Sequence, residues 1–327
     1  MAVLVTGGAG YIGSHTCKAL AQAGYTPVVL DNFSTGHPWA VRWGECVTVD
    51  LAERDKLVDV LRQYNIRAVM HFAASAYVGE SMTNPAKYYR NNLIHTLNLL
   101  EAMVAAGVPT IVFSSTCATY GLPQWLPLTE DHPQQPVNPY GETKRAMEQA
   151  LHWFRQAYGL RYAALRYFNA AGADPDGELG ECHDPETHLI PRLLLSLLGG
   201  EPVTIFGTDY DTPDGTPVRD FIHVTDLAVA HVQALDYLQT QDTHLIVNLG
   251  TGQGYSVRQV IETVEQVTGQ KLAVQAGPRR PGDPPILVAD VTRARQTLGW
   301  QPRYSDLPTI IETAWRWHQK RLAPAAV

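Results

Sequence analysis

The sequence predicts an α/β protein: a doubly wound parallel sheet with a smaller, loop-rich C-terminal substrate domain. Three observations carry this. Short Val-rich apolar runs alternate with amphipathic helical stretches. A glycine cluster stands between the first run and the first helix. After residue 170 the alternation gives way to Gly, Pro and Asp clusters at 172–185 and 207–217. At about 150 residues per domain, the 327-residue chain divides into 1–170, with a returning segment near 217–252, and 171–327.

Taken in order, Ala2–Thr6 is an apolar run ended by Gly7-Gly8, as expected of a buried parallel strand. Helical spacing follows over 11–23, with Gly24 as the stop. Thr26–Leu30 is a second strand closed by Asp31. A helix over 55–63 and a strand over 68–72 come next. Asn84-Pro85 supplies an N-cap and a first-turn proline for one helix over 85–106, stopped by Gly107. A strand over 110–115 precedes Asn138-Pro139, which repeats the start signal for a helix over 139–158. A strand over 161–168 completes the regular part, and 245–249 reads as one further strand of the same sheet. Strands alternating with helices require crossovers that cover both faces of a parallel sheet.

Composition narrows the function. Hydrophobic residues at 45% and charged residues at 17% describe a globular chain and exclude disorder. Twenty-five Lys and Arg against 32 Asp and Glu leave a net charge of −7, a poor match for a nucleic-acid backbone. Cys17, Cys46, Cys117 and Cys182 fit no CxxC pair and no metal framework, so reduced thiols in a cytoplasmic protein and no metal are expected. No signal pattern is evident at the start, and no apolar run approaches the roughly 18 residues of a membrane span.

Gly7, Gly10 and Gly13 form G-x-x-G-x-x-G between a strand and a helix. Missing side chains let the backbone turn tightly and approach a pyrophosphate, and the helix N-terminus offers free N–H groups. A glycine run alone also suits any tight turn; the flanking strand and helix favour the phosphate reading. Asp31 lies 18 residues after Gly13, where a carboxylate accepts from a ribose 2′-hydroxyl and repels a 2′-phosphate. No Arg or Lys follows within Asn32-Phe33-Ser34-Thr35-Gly36, so NAD is expected rather than NADP.

Tyr140 and Lys144 stand four residues apart on one helical face. A phenol is a poor base at neutral pH, and a neighbouring ammonium with a cationic nicotinamide favours its phenolate. On a solvated helix such a pair is ordinary; after a dinucleotide turn it is a candidate catalytic pair. Ser114, Ser115 and Thr116 close a strand at the end where open α/β sheets place ligands.

Turn, hydroxyl cluster and Tyr/Lys pair, in this order, resemble the extended short-chain dehydrogenase/reductase superfamily, whose dinucleotide-binding part is a Rossmann-type sheet. The segments 7–15, Asp31-Asn32, His71-Phe72-Ala73-Ala74, Val78-Gly79-Glu80-Ser81, 140–144, Arg166-Tyr167-Phe168-Asn169, 218–223 and Arg279-Arg280-Pro281-Gly282-Asp283 resemble its UDP-glucose 4-epimerase family. The resemblance spans nearly the whole chain. It implies an isomerase of galactose and nucleotide-sugar metabolism, with an NAD-binding domain over 1–170 and a UDP-sugar-binding domain over 171–327. Such an enzyme interconverts UDP-galactose and UDP-glucose through a transient 4-keto sugar, by reversible hydride transfer to tightly bound NAD. By the same resemblance Tyr140 would take the proton of the 4-hydroxyl, Lys144 would hold the nicotinamide ribose and depress the Tyr140 pKa, and Thr116 would bind the reacting oxygen.

The resemblance further implies Tyr11 and Ile12 at the pyrophosphate, and Asp50 and Leu51 beside the adenine. Phe72, Ala73, Ala74, Asn91 and Phe168 would line the cofactor. Asn169, His188, Leu189, Phe206, Arg219, Arg280 and Asp283 would hold the UDP-hexose; an Arg fork suits phosphate oxygens, although Arg219 could equally pair with Asp220 or another acid. A homodimer through the helices near 85–106 and 139–158 is implied as well.

Three positions depart from the family pattern. Ala76 stands where many members carry a Lys toward the cofactor phosphate. His188 stands where many carry Asn. Leu287 stands where a Tyr excludes N-acetyl sugars and a smaller residue admits them. Cys117-Ala118 after Thr116 replaces the Asp-Glu pair that 4,6-dehydration requires. The stretch 73–80 is also similar to UDP-arabinose/UDP-xylose 4-epimerases, which leaves a pentose or broad UDP-sugar enzyme as the alternative. A non-catalytic NAD-binding protein on this fold would lack the retained Thr116, Tyr140 and Lys144.

Overall fold

The strands are β1 (Ala2–Thr6), β2 (Thr26–Leu30), β3 (Glu45–Val47), β4 (Ala68–His71), β5 (Thr110–Thr116), β6 (Arg161–Tyr167), β7 (Asn169–Ala171), β8 (Val203–Phe206), β9 (Val218–His223), β10 (His244–Leu249), β11 (Gly254–Ser256), β12 (Val274–Gly277) and β13 (Ile286–Leu287). The computed structural model describes residues 1–280 and 283–322. Pro281 and Gly282 of the Arg-Arg-Pro-Gly-Asp motif, and 323–327 of the second expected domain, lie outside the described residues.

The main sheet has the order β10-β6-β5-β4-β1-β2-β3, and all of its pairs are parallel. The order in which strands are added reverses between β1 and β4, β2 and β3 lying to one side and β4, β5 and β6 to the other, which opens a crevice at the carboxyl ends of these parallel strands. Side chains alternate across β1. Val3 and Val5 enter the core shared with Leu20, Leu227 and Leu235, whereas Leu4 enters the opposite core with Leu57, Leu99 and Met147. The first core is covered by α1 (Tyr11–Gln22) and α8 (Val224–Thr240). The second is covered by α2 (Arg54–Gln63), α5 (His95–Ala106) and α6 (Pro139–Tyr158). Burial on both faces explains the near-continuous apolar strands. The chain carries further helices α3 (Val78–Thr83), α4 (Pro85–Tyr88), α7 (Leu189–Leu197), α9 (Val257–Thr268), α10 (Thr292–Leu298) and α11 (Leu307–Leu322).

Smaller sheets lie after β6. β9 pairs with β11, β13 and β7, while β8 pairs with β12. A third core gathers Ile190, Leu193, Phe221, Val260, Ile310 and Trp315. The segment expected to return to the first sheet does so through β10, which pairs with β6 from His244↔Tyr162 to Leu249↔Tyr167.

One expected helix is broken. The sequence predicts a continuous helix over 85–106; the structure has α4, a π-helical segment over Tyr89–Ile94, then α5. The added residue turns Asn92 inward, where its amide carries bonds described below. Strand β3 and helix α3 are additions that the sequence pattern did not signal.

Candidate active site

Gly7, which follows β1, has φ 70°. A Cβ on Gly7 would stand 2.7 Å from Ala73 N, and one on Gly13 would stand 2.2 Å from Gly7 O. Both glycines therefore close the turn itself. Gly10 is different: an added Cβ meets only Gly7 O, at 3.2 Å. Gly10 is the N-cap of α1 and offers no side chain to its first N–H groups, and the first turn holds no acid. An uncapped helix N-terminus over an open glycine suits a pyrophosphate. This region opens into a cleft lined by Ala9, Gly10, Tyr11, Trp39, Cys182 and His183.

Asp31 ties the turn down. Its carboxylate accepts from Ala9 N (3.0 Å) and Phe33 N (2.9 Å). Asn32 Nδ2 donates to Asp50 Oδ2 at 2.6 Å, which extends the polar edge outward. Leu51, expected at the adenine, packs its side chain in the core and gives its carbonyl to Asn98 (3.0 Å). Ile12 packs against the first core, so its backbone rather than its side chain serves the turn. The Tyr11 hydroxyl donates to Gly172 O at 2.6 Å.

Phe72 and Ala73 at the end of β4 donate their N–H groups to Thr6 O. The Phe72 ring lies 4.8 Å from His231. His71 is held between the Thr6 (2.6 Å) and Thr96 (2.8 Å) hydroxyls, and burial, with Lys144 adding to it, pushes its pKa down to about 3. It is a neutral spacer. Half-buried Ala74 leads to Ser75, whose N–H and carbonyl bond the Asn92 amide at 2.8 and 3.0 Å. Asn92 Nδ2 also donates to Thr143 Oγ1 (3.2 Å), and Asn91 donates to Ser75 Oγ (3.2 Å).

The Asn138 side chain caps α6 by accepting from Gly141 N at 2.8 Å, so Tyr140 occupies the first turn and Lys144 the next. Lys144 Nζ donates to Ser114 O at 2.7 Å and stands 4.9 Å over the Phe113 ring. Burial lowers its pKa to about 7, against the opposing charge of Glu148. The Tyr140 phenol is raised to about 12 by burial, and a hydrogen bond with Thr116 works against that rise. The expectation that Lys144 depresses the phenol is not met in the chain's own field. Burial dominates both groups and pushes them toward their neutral forms.

Behind this pair lies a buried network that the sequence reading missed. Glu148 is one turn beyond Lys144 and pairs with Arg166, the two side chains being 5% and 4% exposed. Glu148 also accepts from Ser115 Oγ, next to Thr116. Arg166 continues to Tyr120 OH at 3.0 Å, and Tyr120 to Asn248 at 2.6 Å. The i+4 spacing from Lys144 to Glu148 was a legible signal.

Phe168, Cys117 and Leu287 pack in one apolar cluster beside Thr116, and Asn169 begins β7 immediately after. Arg219 pairs with Asp283 at 2.5 Å rather than with Asp220, whose carboxylate is occupied by Thr251, Gly252 and Ala289. The Arg280 guanidinium stacks 4.2 Å over Phe206, and burial lowers its pKa with Arg192 and Arg219 nearby. Arg219, Arg280, Asp283 and Phe206 are thus brought into one neighbourhood, with Arg219 also acting on Cys117. Leu189 opens α7 and packs on the third core. His188 is half exposed, and its Nδ1 contacts Glu181. The spacing His183-x-x-Glu186-x-His188 was present in the sequence and went unread.

Residues 3–250 match the family model described as NAD dependent epimerase/dehydratase family, and the chain belongs to that family. A UDP-glucose 4-epimerase of Rhizobium meliloti (strain 1021) is 53% identical over 320 residues, covering 98% of this chain and 97% of that protein. The crystal structure of UDP-glucose 4-epimerase from Brucella ovis in complex with NAD has a TM-score of 0.94 at 55% identity, covering 96% and 97% of the two chains. The enzyme from Stenotrophomonas maltophila, with bound NAD and formylated UDP-arabinopyranose, has a TM-score of 0.95 at 39% identity over 98% of each chain.

Proposed function

We propose that this chain is a UDP-glucose 4-epimerase that interconverts UDP-galactose and UDP-glucose with NAD as its resident cofactor. The observation that carries the reading is the Thr116–Tyr140–Lys144 constellation at the carboxyl end of β5, with Thr116 and Lys144 buried and Tyr140 half-buried, on the same edge of the sheet as the glycine turn after β1. Gly7, Gly10, Gly13 and the N–H groups of Tyr11 and Ile12 cradle the pyrophosphate. Asp31 and Asn32 take the ribose, and Asp50 stands toward the adenine. NAD supplies a reversible hydride acceptor for the sugar C4, and its positive ring favours the phenolate.

Tyr140 removes the proton of the 4-hydroxyl and returns it, while Thr116 fixes the phenol and the reacting oxygen. Lys144 positions the nicotinamide ribose from its seat on Ser114 O. Arg219 and Arg280 bind the diphosphate, Asp283 the uridine ribose, and Phe206 the base. Asn169, His188 and Leu189 border the sugar, and Phe168, Ala73, Ala74, Phe72 and Asn91 wall the cofactor. With Thr116 and Tyr140 aimed at one oxygen, the same residues serve both faces of the keto sugar.

Solvent-facing apolar side chains on the helices over 85–106 and 139–158, among them Ile94 at 50% and Trp153 at 67% exposure, support a homodimer through these helices. Among the described residues no helix is long and apolar enough to cross a membrane. We place the enzyme in the cytoplasm, with a small-molecule partner and no nucleic acid. Leu287 packs with Phe168 in one apolar cluster, and the Stenotrophomonas complex favours acceptance of UDP-pentoses as a second reading.

The test incubates purified protein with UDP-galactose, without added cofactor, and resolves the sugars by proton NMR. UDP-glucose is expected, and Tyr140→Phe should slow its formation about 10²–10⁴-fold. An unaffected Tyr140→Phe rate, or turnover of UDP-xylose alone, would overturn the hexose assignment.

A further inference from the structure

The excursion from Asp174 to His188 carries two clusters of metal-type ligands. In the first, Asp174, Asp176 and Glu178 close on Lys18 Nζ at 2.8, 2.8 and 2.9 Å. A protein ammonium already neutralises that set. The second comprises Glu181, His183, Glu186 and His188, one ligand atom from each lying within 4.8 Å of the others.

The second cluster is built differently. The side chains of Glu181 and Glu186 are 4% and 8% exposed, and among the described residues no Lys or Arg forms an ion pair with either. His183 Nδ1 stands 3.1 Å from Glu181 Oε1 and 3.6 Å from Glu186 Oε2. Nevertheless it is a buried nitrogen without a hydrogen-bond partner among the described residues. His188 Nδ1 approaches the same two carboxylates, touching Glu181 and lying 3.7 Å from Glu186 Oε1. Donors bound at about 2.0–2.2 Å around a tetrahedral ion sit roughly 3.3–3.6 Å apart; three of these separations, 3.1, 3.6 and 3.7 Å, lie near that range, and the His188–Glu181 pair would part slightly to admit an ion.

The field of the cluster calls for positive charge. Two nearly buried carboxylates face two imidazoles, with no Lys or Arg paired to them among the described residues. Two protons on two imidazoles supply one solution. A dication supplies the other and also uses the idle Nδ1 lone pair.

We propose that Glu181, His183, Glu186 and His188 form a site for one divalent transition ion of the zinc type. Two imidazole nitrogens and two carboxylate oxygens complete a neutral four-coordinate centre, and the imidazolium protons leave as the ion enters. The site flanks the cofactor turn, with the His183 ring 6.4 Å from Tyr11. It does not depend on which sugar the enzyme turns over.

The experiment titrates tag-free, NAD-loaded, chelator-washed protein with Co²⁺ and follows d–d absorption. One equivalent should bind as a four-coordinate centre without a thiolate charge-transfer band, with affinity falling as pH drops and protons compete. His183→Ala and Glu181→Gln should each weaken Co²⁺ binding by about 100-fold or more, while Asp176→Asn leaves it unchanged. Absence of stoichiometric binding, a thiolate band, or binding indifferent to His183→Ala would each overturn the proposal. Should that variant fail to fold, wild-type imidazole resonances decide: Zn²⁺ must abolish the pH titration of two histidines, and unaltered titration overturns the site.

Discussion

Replacing Glu148 by Ala should cost more stability than the hydrogen bonds of its carboxylate alone would suggest. Glu148 and Arg166 are both nearly inaccessible to water, and the guanidinium donates through Nε at 2.9 and 3.2 Å and through a second nitrogen at 2.5 Å. Without the carboxylate, Arg166 keeps only neutral partners, Tyr120 OH at 3.0 Å and Glu130 O at 3.1 Å. An unpaired buried charge of this kind costs about 3–5 kcal/mol. With a urea slope of roughly 3 kcal/mol per molar for a chain of this size, the denaturation midpoint should fall by about 1–1.7 M. The double variant Glu148→Leu/Arg166→Met removes both charges and should regain most of that loss. Equilibrium urea unfolding of the three proteins, followed by tryptophan fluorescence, measures it. A midpoint shift below about 0.3 M for Glu148→Ala, or a double variant as unstable as the single, would refute the reasoning.

Two further outcomes follow from the site. Lys144 has its pKa lowered from 10.5 to about 7, so between these values the unfolded chain holds a proton that the folded chain releases, and stability gains with rising pH by up to about 1.4 kcal/mol per unit. Lys144→Met should lose that slope between pH 7 and 9.5 in apo-protein melts; parallel curves would contradict it. Gly10→Ala should fold, since φ is −84° and the new Cβ meets only Gly7 O at 3.2 Å; yet the methyl fills the cradle, so nicotinamide released on heating should fall well below one per chain. Full cofactor content in folded Gly10→Ala would disprove the cradle.

What the sequence made legible was governed by local chemistry. Asn84 and Asn138 cap the helices as their types dictate, at 3.4 and 2.8 Å to the capped N–H groups. The strands of the main sheet other than the exposed edge strand β3 announced themselves because burial on both faces leaves only apolar runs. The π-helical turn over Tyr89–Ile94 was invisible, since nothing in its composition separates it from an α-helix. Its cause is tertiary: Asn92 must reach both Ser75, 17 residues back, and Thr143, 51 residues ahead. The Tyr140/Lys144 pair was legible from spacing, but its electrostatics were not, because burial depends on the whole fold. Arg219 choosing Asp283 over adjacent Asp220 has the same origin, as the loop amides after β10 had already claimed Asp220.

The helix behind the glycine turn is fastened at two points to the excursion that follows β7. Tyr11 OH holds Gly172 O, and about two turns further along α1 Lys18 is gripped by three carboxylates. A molecule stitched in this way resists opening like a clamshell, because each degree of hinge rotation would shear a buried ammonium from its counter-ions. Catalysis must then proceed in a chamber of nearly fixed shape, into which the nucleotide sugar threads and within which its hexose turns over. Changes in sugar preference would have to come from resurfacing that chamber, residue by residue, rather than from altering how far it gapes.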